Sequence, residues 1–135
     1  MTDSIADVLI IGAGPAGLSA ALTLARQCHS AIVFDTKQYR TDVGQKQPKI
    51  HVLSGWDGRS PADYRAKARE EIAIYNTIAF CDQEVISIFR NSDNIFEARD
   101  SNGTLHYGRK VILAHGVQEI YPGIPGYVEC WGTGM

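Results

Sequence analysis

A chain of 135 residues, 44% of them hydrophobic, can form one domain with its own core but is too short for a complete multi-domain enzyme. The formal charge of -2 and the lack of a basic run exclude the usual composition of proteins that bind nucleic acid or an anionic membrane, so we expect a small-molecule partner. No apolar stretch is long enough to span a bilayer and the N-terminus lacks the regions of a signal peptide, so the expected location is cytoplasmic.

The N-terminal segment combines a buried strand, a glycine-rich turn and a helix. Residues 8–11 form a short apolar run rich in β-branched side chains, which predicts a strand buried on both faces, and a helical pattern follows. Between them, G-x-G-x-x-G permits a tight turn, close approach of a pyrophosphate to the backbone, and packing of the helix on the strand. The helix start adds unpaired N–H groups and the positive end of its dipole. The sequence therefore predicts a dinucleotide phosphate site at Gly12, Gly14, Pro15, Ala16 and Gly17.

An acidic residue lies where this type of site needs one. A second buried strand over residues 31–34 ends at Asp35, about 20 residues beyond the glycines, where a carboxylate accepts hydrogen bonds from the ribose hydroxyls of an adenine dinucleotide. The first helix is predicted from Pro15 to about Cys28, between the two strands. Strand, turn, helix and acid complete a βαβ fingerprint, and the alternative is a Rossmann-like turn that binds nothing.

Residues 36–59 lack a sustained period and are interrupted by glycine and proline, which predicts a long loop. Loops of such length in a compact domain are usually functional or mobile, and this one leaves the ribose end of the second strand. Tyr39 and Arg40 are therefore candidates for contact with the adenosine half of a ligand, with Arg40 near a phosphate. The alternative is an exposed Tyr-Arg pair on a loop.

A second helix is predicted to begin at Ser60. Ser60 is a suitable N-cap, Pro61 suits the first helical position, and the pattern continues to about Tyr75. Its polar face is predicted to lie in water and to form no site. The charged residues of that face are Arg65, Lys67, Arg69 and Glu70.

After residue 76 the hydrophobic period changes from about 3.6 to 2, which indicates strands. The predicted strands are residues 78–80, 85–89, 95–98, 104–107 and 110–114. The first and last belong to the parallel sheet, and the other three form a β-meander on which His106 faces solvent. The last strand ends at His115 and Gly116. We therefore predict an α/β, Rossmann-like FAD/NAD(P)-binding domain over residues 1–120, with a parallel sheet and a three-stranded meander, and a connector and tail over residues 121–135.

The three cysteines, Cys28, Cys81 and Cys130, are odd in number and widely spaced. They form neither a C-x-x-C redox pair nor a metal-ligand cluster in the sequence. The sequence thus predicts ordinary thiols and no metal site, with Cys130, beside Trp131, as the thiol to test for reactivity.

In the order of its elements and in its connector over residues 122–126, the chain resembles the FAD-binding half of the thioredoxin reductase-like flavoproteins. Within that group it looks most similar to the gliotoxin-type dithiol oxidases of fungal secondary metabolism. The segments that carry this resemblance are Val33-Phe34-Asp35, Tyr39-Arg40, Gly55-Trp56-Asp57, Pro61-Ala62-Asp63-Tyr64-Arg65, Phe96-Glu97-Ala98-Arg99-Asp100, Tyr107-Gly108-Arg109-Lys110 and Glu129-Cys130-Trp131.

The resemblance implies an oxidoreductase whose FAD lies on the glycine turn and Asp35, with Gly116 under the cofactor at a strand end. Such enzymes pass electrons between the flavin and a C-x-x-C pair, from NADPH in the reductases and to oxygen in the oxidases. The family's C-x-x-C pair, second nucleotide domain and late Gly-Asp segment have no counterpart in this sequence. We therefore expect a domain incomplete at its C-terminus, with FAD either retained or lost, and a homodimer or partner chain that covers the exposed sheet edge.

Two further hypotheses come from departures from the family pattern. The chain has His115 where the family has threonine in Ala-Thr-Gly, and Val52 after His51 where the gliotoxin-type loop has asparagine. His115, with His51 as the second candidate, is placed to act as acid or base in a non-redox cyclisation, isomerisation or dehydration, oriented by Asp35. The alternative role for His115 is a buried structural imidazole. The other hypothesis is a non-catalytic remnant that binds or regulates a full-length relative.

Overall fold

A computed structural model describes residues 4–40 and 47–131. The strands are β1 (Ala6–Ile11), β2 (Ala31–Phe34), β3 (Ile78–Cys81), β4 (Val85–Arg90), β5 (Phe96–Asp100) and β6 (Leu105–Leu113), and the helices are α1 (Pro15–Arg26), α2 (Pro61–Ala73) and α3 (Tyr127–Cys130). The described residues divide into two compact units, 4–37 with 65–116, and 38–40 and 47–64 with 117–131. The predicted domain boundary at residue 120 stays a prediction. The predicted tail residues 132–135 and loop residues 41–46 lie outside the described residues.

The first unit is built on one six-stranded sheet of mixed direction. Its strand order is β3-β2-β1-β6-β5-β4, and the four strands β3, β2, β1 and β6 run parallel. Leu9 and Ile10 of β1 are fully buried, as expected for a central strand covered on both faces. The sheet confirms the predicted α/β, Rossmann-like class with a meander.

Helix α1 connects β1 to β2 and buries a face of small and apolar residues. The buried residues of this face are Gly17, Leu18, Ala21 and Ala25. The helix ends at Arg26, two residues before the predicted end, because Cys28 adopts a left-handed φ of 62° and the N–H of Cys28 donates to the carbonyl of Ala25. The crossover from β1 through α1 to the parallel β2 is the βαβ unit that the sequence predicts.

The end of the meander and the returning strand are one continuous strand, which corrects the prediction of two separate strands. β6 pairs antiparallel with β5 at its start and parallel with β1 further along. Gly108 is paired with both neighbours, with Phe96 of β5 and with Ala6 of β1. It does not break the strand. A Cβ on Gly108 would lie 2.5 Å from Cγ of Leu9, so the glycine is required by the packing of the fully buried Leu9 side chain.

His106 lies beside the hydrophobic core of the sheet, so its predicted exposure to solvent is wrong. The core contains Ala6, Leu9, Phe34 and Ala98. The His106 side chain is only 18% exposed, its ring meets Phe34 edge-on with centroids 5.0 Å apart, and its Nε2 lies 2.9 Å from Oδ2 of Asp100. The alternating pattern identified the strand correctly, but it could not show that this face of the strand lies against β2.

Helix α2 begins where the sequence predicts. Oγ of Ser60 accepts the N–H of Ala62 at 3.2 Å, which is the geometry of a serine N-cap. The helix ends at Ala73 and buries Ile72. No helix in residues 4–40 or 47–131 is long and apolar enough to cross a bilayer.

The second unit contains the loop before α2 and the connector. The loop closes on itself because the N–H of Ile50 donates to the carbonyl of Arg59 at 2.8 Å, and the N–H of Gly58 donates to Ile50 at 2.7 Å. The guanidinium of Arg59 lies 4.3 Å from the centre of the Trp56 ring. In the connector, Tyr121, Tyr127 and Trp131 form an aromatic cluster.

We predict that Gly108→Ala destabilises the first unit by about 1–3 kcal/mol, because the added methyl group overpacks Leu9, which has no room to move. Urea unfolding of the two proteins measures this difference. Gly123→Ala is the matched control, since a Cβ there would meet no atom within 4 Å, and its effect should stay within about 0.5 kcal/mol. Equal effects of the two substitutions would contradict the packing described here.

Candidate functional site

The glycine turn contains two close backbone contacts, at Gly12 and at Gly17, that leave no space for a side chain. Gly12 follows β1 with a φ of 110°, a value that favours glycine, and a Cβ there would collide with the carbonyl of Ala114. A Cβ on Gly17 would collide with the carbonyl oxygen of Gly12. The turn, the start of α1 and the residue after β6 are therefore held against one another.

Gly14 differs from these two glycines because the space beside it is open. It is the N-cap of α1, with a φ of -76°, and a Cβ on it would meet no atom within 4 Å. No side chain caps the helix, no acidic residue lies in its first turn, and Pro15 and Ala16 are exposed. The first-turn N–H groups have no acceptor within a helix, and the positive end of the helix dipole lies with them. An open, uncapped helix start of this kind fits a pyrophosphate.

Asp35 lies at the same edge of the sheet as the glycine turn. The N–H of Gly12 donates to the carbonyl of Phe34 at 3.0 Å, so the turn is adjacent to the end of β2. The Asp35 residue is 2% exposed. Its Oδ1 accepts the backbone N–H of Lys37 at 2.9 Å, and its Oδ2 accepts Nη2 of Arg69 at 2.6 Å. The structure thus brings the turn and the acid together, as the βαβ fingerprint predicts.

Arg69 holds this carboxylate, so the prediction that its side chain lies in water and belongs to no site is wrong. Its side chain is 27% exposed, and its guanidinium also lies 3.3 Å from Oδ1 of Asp82 and 4.1 Å from the centre of the Phe80 ring. Nζ of Lys37 lies 3.6 Å from Asp35 and 3.1 Å from Asp82. Two cations therefore compensate two carboxylates at this edge. The missed signal was helical spacing: Arg69 lies one turn before the buried Ile72 and shares its face.

His115 and Gly116 follow β6 and are both exposed. Their backbone is next to the glycine turn, because the N–H of Ala114 donates to the carbonyl of Ile11 at 2.8 Å. Gly116 has a left-handed φ of 68°. The alternative of a buried structural imidazole at His115 is therefore wrong, and the proposed position of Gly116 at a strand end beside the turn agrees with the fold.

Arg40 and His51 lie in the second unit. Nη1 of Arg40 lies 3.0 Å from Oε1 of Glu119, and the Arg40 side chain is 62% exposed. Nδ1 of His51 lies 3.6 Å from Oδ1 of Asp57, and both side chains are 70% exposed. Their predicted roles at a phosphate and in acid–base chemistry stay predictions.

We predict that Arg69→Met lowers the free energy of unfolding by about 1–3 kcal/mol, because the buried Asp35 carboxylate would lose the cation at 2.6 Å and keep the ammonium of Lys37 at 3.6 Å. Arg69→Lys keeps the charge and should lose less. Lys67→Met on the same helix removes only an exposed pair with Glu70, at 3.3 Å, and should cost at most about 0.5 kcal/mol. Chemical unfolding compares the variants, and equal losses from Arg69→Met and Lys67→Met would contradict the role given to Arg69.

The sequence matches the pyridine nucleotide-disulphide oxidoreductase family over residues 6–134. It is 43% identical over 133 residues to thioredoxin reductase aclD of Aspergillus oryzae, covering 97% of this chain and 41% of that protein. It is 44% identical over 136 residues to thioredoxin reductase tcpT of Claviceps purpurea, covering 99% of this chain and 41% of that protein. The chain thus spans well under half the length of these relatives.

Solved structures agree with the sequence relatives. An oxidoreductase from Agrobacterium tumefaciens superposes with a TM-score of 0.86 and 33% identity, covering 96% of this chain and 43% of that one. The thioredoxin reductase from Streptococcus pyogenes gives a TM-score of 0.74 and 25% identity, covering 93% of this chain and 40% of that one. The chain therefore belongs to the pyridine nucleotide-disulphide oxidoreductase family, and its Rossmann-like fold is that of the FAD domain of thioredoxin reductases.

Proposed function

We propose that this chain is the FAD-binding portion of a thioredoxin reductase-like oxidoreductase that carries out dithiol/disulfide chemistry in secondary metabolism. The observation that carries the proposal is the open, uncapped start of α1 at Gly14, beside a buried acid at the end of β2. The fungal relatives that share about 40% identity are named thioredoxin reductases, which supports the redox class. The resemblance to gliotoxin-type dithiol oxidases supports secondary metabolism as the setting.

The residues of the first unit would hold the adenosine diphosphate half of FAD. The first-turn N–H groups of α1 and its dipole would stabilise the two phosphate charges, and Gly14 leaves room for the phosphates to approach the backbone. Asp35 would accept the ribose hydroxyls. For that contact the ammonium of Lys37 has to move away from Asp35, and the 49% exposure of the Lys37 side chain permits this movement. Arg69 would keep the carboxylate in place meanwhile.

The redox-active disulfide would come from elsewhere in the enzyme. Bound FAD supplies the two-electron chemistry of such reactions. The three cysteines of this chain form no C-x-x-C pair; Cys28 and Cys130 are exposed and Cys81 is half-buried. Further sequence or a partner chain would therefore contribute the dithiol and the nicotinamide site.

The exposed edge of β6 is the position where this further sequence or partner chain would pair with the sheet. Past Gly108, β6 is paired with β1 alone among the described strands, and Leu113 at its end is 67% exposed. An unpaired strand edge that ends beside the glycine turn exposes backbone N–H and C=O groups. We propose that another strand covers it, from a second copy of the chain, from a partner chain or from further sequence.

The non-redox alternative has less support. General acid–base catalysis needs a group that is fixed within hydrogen-bond reach of its substrate. His115 is exposed, and the His51 side chain is 70% exposed in the other unit. The redox proposal uses the glycine turn and Asp35, whereas the alternative leaves the open helix start without a role.

We predict that FAD binds the purified chain saturably, as measured by quenching of flavin fluorescence, and that Gly14→Ala weakens this binding about tenfold or more. The added methyl group would occupy the space of a phosphate, and tenfold corresponds to about 1.4 kcal/mol. Since this methyl group meets no protein atom within 4 Å, the unfolding free energy without FAD should change by less than about 1 kcal/mol.

Gly123→Ala serves as the control and should bind FAD as the unchanged chain does, because Gly123 lies in the connector and its Cβ would also meet open space. Equal FAD affinity of the Gly14→Ala variant and the unchanged chain would contradict the proposed phosphate site. A chain that binds no FAD at any concentration would contradict the proposed cofactor.

A further inference from the structure

Three side chains with the chemistry of metal ligands meet between the parallel sheet and the meander. Cys81 is the last residue of β3, Asp100 is the last residue of β5, and His106 lies near the start of β6. The Sγ of Cys81, a carboxylate oxygen of Asp100 and a ring nitrogen of His106 all lie within 4.8 Å of one another. We propose that this cluster binds one divalent cation of the zinc class. The glycine turn and Asp35 take no part in this site.

The distances are close to those that a bound ion needs. Zinc bonds of about 2.0–2.3 Å to sulfur, nitrogen and oxygen in a tetrahedron set the ligand atoms about 3.5 Å apart. The 4.8 Å limit on the cluster therefore requires inward movements of at most about one ångström, which side-chain rotation supplies. His106 and Asp100, now 2.9 Å apart, would separate slightly as the ion replaces their hydrogen bond.

Two of the three ligands are held in position by the protein itself. Oδ1 of Asp100 accepts the backbone N–H groups of Asn102 and Thr104, both at 2.9 Å, which leaves Oδ2 directed at His106. The His106 ring is fixed edge-on against Phe34. Hydrogen bonds like those to Oδ1 of Asp100, on the side of a ligand away from the ion, orient the ligands in known metal sites. The cluster therefore needs little reorganisation to bind an ion.

The charges of the cluster favour a divalent cation. The cluster offers a thiol from Cys81, a carboxylate from Asp100 and an imidazole from His106. A cation would bind the thiolate, the carboxylate and a neutral imidazole, and the thiol proton would be released to solvent. The sum of one divalent cation and two anions is a neutral site. Sulfur and imidazole ligands favour zinc over magnesium or calcium.

Cobalt titration of the purified chain tests the site, because tetrahedral Co²⁺ bound to a thiolate gives intense visible bands and a sulfur-to-metal charge-transfer band. We expect one Co²⁺ per chain with both features, displaced by Zn²⁺. Cys81→Ser should lose the charge-transfer band, and His106→Gln should weaken binding about tenfold or more. A variant with both Cys28→Ser and Cys130→Ser is the matched control; it keeps Cys81 as its only thiol and should retain the full spectrum.

A second measurement uses the unchanged chain and so does not depend on the folding of a variant. Zn²⁺ should slow alkylation of Cys81 about tenfold or more while the exposed Cys28 reacts at its original rate, as read by peptide mass spectrometry. Two results would overturn the proposal: a cobalt spectrum that persists in Cys81→Ser, or a Cys81 alkylation rate that Zn²⁺ leaves unchanged.

Discussion

The contact between the backbone of Gly12 and the carbonyl of Ala114 is the constraint on which the site depends. It exists only because Gly12 has no side chain, and it fixes the end of β6 against the turn that follows β1. The parallel pairing of β1 with β2 and β6 brings all three strand ends to one edge of the sheet. The open helix start, the buried acid and the exposed His115 are neighbours for this reason. Open α/β sheets bind their ligands at such an edge.

The charges at this edge are arranged in two parts. The uncapped start of α1 is electropositive, and beside it Asp35 would be an isolated buried carboxylate without its cations. An unpaired buried charge costs several kcal/mol, so the pairing with Arg69 at 2.6 Å makes an acid at this position compatible with a stable fold. Helix α2 thereby contributes to a site that is otherwise built by β1, α1 and β2. The arrangement places an electropositive helix start beside a hydrogen-bond acceptor, a combination that suits the diphosphate and the ribose of an adenine nucleotide.

Local patterns were sufficient to predict the elements that carry the fingerprint. The apolar runs of β1 and β2, the three glycines and the Ser60 cap each act within a few residues of the chain, so the sequence determines them directly. The errors concern side chains whose environment comes from distant segments. His106 was assigned to solvent because nothing in its own strand shows that Phe34 covers it. The pattern predicts two separate strands over residues 104–107 and 110–114, because nothing near Gly108 in sequence shows that it packs against the Leu9 side chain of β1. The cluster of Cys81, Asp100 and His106 has no recognisable spacing for the same reason.

We propose that the backbone of the glycine turn holds the diphosphate of an adenine nucleotide. Titration of the ¹⁵N-labelled chain with ADP, followed by amide chemical shifts, tests this proposal most directly, because ADP carries only the half of FAD that the glycine turn and Asp35 are proposed to hold. We expect saturable shifts centred on the amides of Ala13, Gly14, Ala16 and Gly17, with a smaller group near Asp35. Shifts that are absent at saturating ADP, or that avoid the turn and concentrate elsewhere, would contradict it.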